Sequence, residues 1–185
     1  MTGVIVGGLM TGLGMLAMLV ALRTGSRLGE WITKPIAAAG FLVVALGAGA
    51  LDSDYGVAVL VALALSWLGD VLLIPTSQAV FRLGILAFLL GHVAFSAAFL
   101  VHGVAWIWVF LSLPPLAGAV AVVLRWLWPN VDADMKVPVI AYVAVITTMV
   151  ALAIGTLGAG GSPWIVVGAV AFYGSDLCVA RERFV

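Results

Sequence analysis

The chain has 185 residues, 65% of them hydrophobic, with eight Lys or Arg balanced by eight Asp or Glu. An ordinary soluble domain is about 45–50% apolar and about 25% charged, whereas this chain is 9% charged. So little charge excludes a water-soluble enzyme, a nucleic-acid binder and a disordered chain, and leaves an integral membrane protein.

Seven apolar stretches approach the ~20 residues that a membrane-spanning helix needs: residues 3–22, 35–50, 57–74, 83–101, 106–127, 137–157 and 164–180. None alternates polar and apolar residues as a membrane β-strand does. The expected fold is therefore all-α, a polytopic transmembrane helix bundle with short connections, forming a single membrane domain over residues 1–185.

In the first span, Gly3, Gly7, Gly8 and Gly12 give a small-xxx-small spacing that permits close helix approach. Its basic residues, Arg23 and Arg27, follow rather than precede it, and it is long enough to span, so it reads as a membrane helix and not a secretory signal. Lys34-Pro35 opens the second span, with proline tolerated in a first turn; Lys34 reads either as a snorkelling lysine or as a contact to a lipid phosphate. The third span carries Ser66 one turn before Asp70 on the same face, with no histidine at that depth to make the serine a nucleophile. In the fourth, His92 lies near the middle, with Phe88, Phe95, Ser96 and Phe99 on its face. It reads as a proton relay, an orienting donor or a satisfied interhelical histidine. His102 falls in an outer loop, so one buried imidazole and the lone Cys178 do not make a zinc site or a disulfide framework. Tyr142, one turn into the sixth span, lies at the depth of the aspartates, where an interfacial aromatic belt also places tyrosine. The seventh span holds Ser175-Asp176. There is no phosphate-binding Gly-rich loop, no GxSxG elbow and no HExxH.

Lys and Arg set orientation in membrane proteins. With seven alternating spans, Arg23, Arg27, Lys34, Arg82, Arg125, Lys136, Arg181 and Arg183 all fall on one side. The expectation is an outside N-terminus and a cytoplasmic C-terminus.

Asp70 and Asp176 are the two acids left inside predicted spans, each four residues from its cytoplasmic end, about 6 Å deep at 1.5 Å per residue. An ionisable group in hydrocarbon is costly and marks function. Two carboxyls sharing a low-dielectric site do not both ionise readily, which supplies a general acid beside a general base for cleaving an acid-labile bond. Taken singly, each Asp has the alternative of bonding a neighbouring hydroxyl or snorkelling to the interface.

Taken together, these residues resemble the YhhN-like family of lysoplasmalogenases. The resemblance rests on Lys34-Pro35, Ser66-x-x-Gly69-Asp70, Gly84 through Phe88 to His92, Pro138 with Tyr142, and Gly168-Ala169 through Phe172 to Ser175-Asp176. It implies hydrolysis of the vinyl ether bond of lysoplasmalogens to a fatty aldehyde and a glycerophospho-ethanolamine or -choline. It also implies Asp70 and Asp176 as the catalytic pair, with Lys34, Ser66, His92, Tyr142 and Ser175 binding or supporting and no metal or organic cofactor. The partners expected are a lysophospholipid substrate and the lipid bilayer, with no nucleic acid; a homo-oligomer stays open. The chain departs from the family in reading as seven spans where eight are common, and in having Phe95 where a tyrosine often follows the histidine. The competing reading is a small proton- or ion-coupled transporter using Asp70, His92 and Asp176, although transporter sites usually lie at the midplane on broken helices. A scaffold without chemistry leaves the two acids unexplained.

Overall fold

A computed structural model describes all 185 residues. Seven helices follow in order: α1 (Thr2–Thr24), α2 (Arg27–Gly47), α3 (Asp54–Leu72), α4 (Gln78–His102), α5 (Trp106–Leu127), α6 (Lys136–Leu157) and α7 (Pro163–Phe184). Short 3₁₀ turns lie at Ala50–Asp52, Trp128–Asn130 and Ala133–Met135. All seven helices are long and apolar enough to cross a membrane, and no strand is present. The all-α, seven-span expectation holds, and the chain has the build of a multi-pass membrane protein. It divides into two compact units, Met1–Ala98 and Phe99–Val185.

Within the first unit, α1 and α2 form a tight hairpin. Gly25, at φ 64°, ends α1 in the left-handed conformation that glycine adopts without steric cost. Its N–H and that of Ser26 bond back to Leu22 and Ala21, a Schellman closure. Ser26 then caps α2 by accepting from the Gly29 N–H at 3.2 Å. These signals overturn one expectation. The second helix begins at Arg27, so Lys34-Pro35 lies in its body instead of opening it. Pro35 cannot donate to the carbonyl one turn earlier, a loss that membrane helices tolerate.

The α1–α2 contact is lined by small residues. A Cβ added to Gly3 would fall 2.8 Å from the Gly47 Cα, and one on Gly14 2.9 Å from the Ala37 Cα. Gly7 and Gly40 lie against each other's carbonyls, and Thr11 Oγ1 donates to the Ala37 carbonyl at 3.1 Å. Gly8 and Gly12 have nothing within 4 Å of an added Cβ. The glycine spacing therefore marks an interface at Gly3 and Gly7, continued by Gly14, while Gly8 and Gly12 lie outside it.

A left-handed Gly49 (φ 83°) and Ser53, which accepts from the Gly56 N–H at 3.1 Å, start α3. The first-unit part of α4 meets α3 at small residues. Gly91 lies against Ser66 and the Ala62 carbonyl, Gly84 against Leu72 and Leu73, and Gly69 under the Phe88 ring.

In the second unit, α6 supplies most of the buried residues, among them Ile146, Met149, Val150, Ala153 and Thr156. The segment before α5 packs onto its far end: the Ala105 N–H donates to the Gly155 carbonyl at 2.9 Å, and Gly155 faces Val104 and Val109. Ser162 and Pro163 start α7 as N-cap and first-turn proline. At the other end, Lys136 Nζ lies 4.7 Å from the Trp128 ring centroid, a cation–π contact.

Helix ends differ from the apolar boundaries in a way that matters for the acids. Arg82 lies inside α4, His102 is its last residue, and Arg181 and Arg183 extend α7. Asp70 consequently lies two residues from the end of α3, about 3 Å along the axis, and Asp176 eight residues from the end of α7, about 12 Å. The matched distances expected from the apolar boundaries do not hold at the helix ends. Apolarity reports the hydrocarbon layer, whereas a helix continues through polar residues until a cap or proline stops it.

The α1–α2 geometry makes a direct prediction. Gly7→Val and Gly40→Val insert atoms where backbone already sits, at a cost of about 1–3 kcal/mol each. Both should lower the thermal midpoint of the detergent-purified protein measured by circular dichroism, while Gly12→Val should leave it nearly unchanged.

Candidate functional site

In the first unit, α3 carries polar residues that meet α2 on one side and is packed against α4 on another. Lys34 in α2 reaches Asp70 in α3, with Nζ 3.7 Å from Oδ1 and both side chains partly exposed, at 24% and 34%. Beside them, Trp67 Nε1 donates to the Pro35 carbonyl at 3.0 Å, tying α3 to α2 one residue from the lysine and one turn from the aspartate. Trp67 was not legible as a site residue, since an indole in a membrane helix usually reads as lipid-facing.

Asp70 is also positioned by its neighbour. A Cβ on Gly69 would fall 2.6 Å from Phe88 Cε2, so the phenyl ring covers the backbone just before the carboxyl. The Phe88 carbonyl lies 2.6 Å from Nδ1 of His92, which is 1% exposed. A carbonyl only accepts, so Nδ1 donates and Nε2 presents a lone pair in the neutral ring. His92 is thereby oriented by the same turn that seats Phe88 on Gly69.

Ser66, buried, donates to the Ala62 carbonyl at 2.9 Å and is backed by Gly91. A serine bonded back to its own helix lets α4 approach closely, and this one has no activating base at its hydroxyl.

In the second unit, Tyr142 of α6 donates its hydroxyl to Asp176 Oδ2 of α7 at 2.6 Å, a short O–H···O bond. The tyrosine at the depth of the aspartates thus has a specific partner and is not merely part of an aromatic belt. Ser175 is exposed, and its position next to Asp176 turns it to another face of α7. The buried hydroxyls of Thr147 and Tyr173, on the same two helices, have no hydrogen-bond partner.

The structure therefore brings together Lys34 with Asp70, and Tyr142 with Asp176. Ser66 and His92 are engaged by backbone carbonyls, and Ser175 stands apart. Each candidate acid meets a side chain from the neighbouring helix, a cation for Asp70 and a phenol for Asp176. Nowhere do three or more His, Cys, Asp or Glu gather in a set suited to a metal ion.

Comparison with known proteins gives the same residues a family context. Proteins named lysoplasmalogenase from Mycobacterium bovis and Mycobacterium tuberculosis are each 35% identical to the chain over 136 residues, covering 67% of it and 49% of the relative. The chain thus spans about half the length of the curated relatives it matches. No solved structure matches it. The model of the YhhN family matches residues 29–185, from the first turn of α2 through Asp70, Tyr142 and Asp176 to Val185, and the chain belongs to that family.

Proposed function

We propose that the protein is a membrane-embedded hydrolase that cleaves the vinyl ether bond of lysoplasmalogens, releasing a fatty aldehyde and a glycerophospho-ethanolamine or -choline. The observation that carries the reading is the pair of intramembrane carboxyls, each held by its own partner: Asp70 by Lys34 and Asp176 by Tyr142. Intramembrane acids are costly unless used, and the relatives named lysoplasmalogenase supply the reaction class in which acid–base chemistry suffices. The transport alternative gains no support from the family or from either relative.

A vinyl ether is an electron-rich alkene, and its hydrolysis begins with protonation at carbon. One aspartic acid donates its proton to the vinyl carbon remote from oxygen, leaving an oxocarbenium ion and an aspartate. The other carboxylate removes a proton from water as the water's oxygen bonds to the cationic carbon, giving a hemiacetal. Collapse of the hemiacetal breaks the carbon–oxygen bond to glycerol; the glycerol oxygen takes a proton and the fatty chain leaves as aldehyde. The sum is the addition of one water and needs no redox partner. Lys34 and Tyr142 hold the two carboxyls in place during these transfers, and the Gly69–Phe88–His92 packing fixes the backbone at Asp70.

The lipid enters from the bilayer, and the basic residues support one orientation of the chain in it. Arg23 and Arg27 flank the α1–α2 turn, Arg82 lies in the first turns of α4, and Arg125 and Lys136 flank the α5–α6 connection. Together with Arg181 and Arg183 at the end of α7, they support an outside N-terminus and a cytoplasmic C-terminus.

Two outcomes are expected. Purified in detergent, the protein should release aldehyde from lysoplasmenyl-ethanolamine, and Asp70→Asn and Asp176→Asn should each lower the rate about a hundredfold or more, the usual loss on removing a general acid or base; full activity in both variants contradicts the mechanism. In cells, a C-terminal fusion to green fluorescent protein should fluoresce and one to alkaline phosphatase should be inactive; the reverse pattern inverts the topology.

A further inference from the structure

Lys34 is the one basic residue set well inside a helix. The other seven basic residues lie within five residues of a helix end: Arg23, Arg27, Arg82, Arg125, Lys136, Arg181 and Arg183. Lys34 is the eighth residue of α2, about 10 Å along the axis from its start. The apolar run of this span starts at residue 35, so Lys34 stands at the edge of the hydrocarbon layer, the level at which phospholipid phosphates lie.

Its contact with Asp70 also leaves the ammonium donors underused. The separation of 3.7 Å satisfies an ion pair but exceeds hydrogen-bond length. The ammonium has three N–H donors, and a quarter of the side chain surface is open, at 24%. The Trp67–Pro35 bond holds α2 and α3 together at this level, so the lysine's base is fixed while its tip is reachable.

We propose that Lys34 is the specificity-determining residue for the phosphodiester of a lysophospholipid. It receives a phosphate oxygen on the donors that Asp70 does not use and thereby presents the rest of the lipid to Asp70. The inference rests on the hydrolase reading, because it takes Asp70 to face the bond that breaks. In a lysoplasmalogen the phosphate and the vinyl ether sit at opposite ends of a three-carbon glycerol. A phosphate on Lys34 and a vinyl ether at the neighbouring carboxyl are thus compatible within one molecule. Lysine acts here as a point charge rather than a planar fork, so it selects for the phosphate and not for the ethanolamine or choline beyond it.

The test separates binding from turnover. Binding of a non-hydrolysable alkyl-ether lysophosphatidylethanolamine to the detergent-purified protein is followed by tryptophan fluorescence, in parallel with the matching alkyl glycerol that lacks phosphate. The wild type should bind the phospholipid about tenfold or more tighter than the alkyl glycerol, the range expected for a hydrogen bond to a charged group. Lys34→Gln should abolish that preference, Lys34→Arg should retain most of it, and Asp70→Asn, in which the lysine loses its competitor, should bind the phospholipid at least as tightly as wild type. The double variant Lys34→Gln/Asp70→Asn removes the unpaired acid, so loss of preference there is not a folding defect. Inorganic phosphate should not displace the lipid analogue at comparable concentration; equal displacement assigns the site to free phosphate and overturns the proposal. An unchanged preference in Lys34→Gln, or one equally lost in Lys34→Arg, also overturns it. In turnover of lysoplasmenyl-ethanolamine, Lys34→Gln should raise KM about tenfold or more with kcat largely kept. A fall in kcat alone makes the lysine a positioning residue for Asp70. If wild type binds with the expected preference but releases no aldehyde, the hydrolase reading fails while phosphate recognition by Lys34 stands.

Discussion

An ionised side chain in hydrocarbon costs about 2.5–3.5 kcal/mol on insertion scales, and an unsatisfied backbone or hydroxyl group adds to the cost. With only 9% of its residues charged, the chain confines nearly all of them to helix ends and connections. Lys34 and Asp176 are set further in and receive partners from the helix beside them: Lys34 pairs with Asp70 near the end of α3, and Asp176 receives Tyr142. Hydroxyls follow the same rule more cheaply. Thr11 bonds across to α2, while Ser66, Ser96 and Ser112 donate to carbonyls of their own helices. Two buried hydroxyls, those of Thr147 and Tyr173, break this rule.

Close helix approach makes that pairing geometrically achievable. Gly69 admits the Phe88 ring, Gly91 admits Ser66, and the Gly7–Gly40 contact draws α1 onto α2. In lipid no hydrophobic force drives helices together, so van der Waals contact between small residues must supply much of the association. A single α3 face then carries Ser66, Gly69 and Asp70, and its geometry is held from two directions: from α2 through the Trp67–Pro35 bond and Lys34, and from α4 through Phe88 and Gly91. The carboxyl of Asp70 is the outward product of that arrangement.

The helical class and the number of membrane-length helices were legible from composition and apolar run length, because hydrocarbon thickness acts directly on sequence. Helix ends were not, because they depend on capping by Ser26 and Gly25 at one site and on the helical continuation through Arg181 and Arg183 at another. That shift moved Lys34-Pro35 from a helix start into a helix body, where its contact with α3 appears. The Lys34–Asp70 pair was hidden because it depends on which faces of α2 and α3 meet, which periodicity in a uniformly apolar segment does not encode. Tyr142 stood out by its position in the sixth span, but its bond to Asp176 required the α6–α7 packing. Of the four glycines that share small-xxx-small spacing in α1, Gly3 and Gly7 face α2 and Gly8 and Gly12 do not, a choice made by helix rotation and invisible to spacing.

The proposed chemistry is acid–base hydrolysis of a vinyl ether, with protonation of carbon and delivery of water to the resulting cation. The most direct measurement is isotopic: wild-type protein turns over lysoplasmenyl-ethanolamine in D₂O containing H₂¹⁸O, with the aldehyde trapped as it forms and analysed by mass spectrometry. The account predicts one deuterium on the aldehyde carbon next to the carbonyl and the ¹⁸O label in the trapped aldehyde oxygen, with none in the glycerol hydroxyl. An aldehyde without deuterium, or label retained on glycerol, contradicts protonation at carbon and the acid–base pathway built on Asp70 and Asp176.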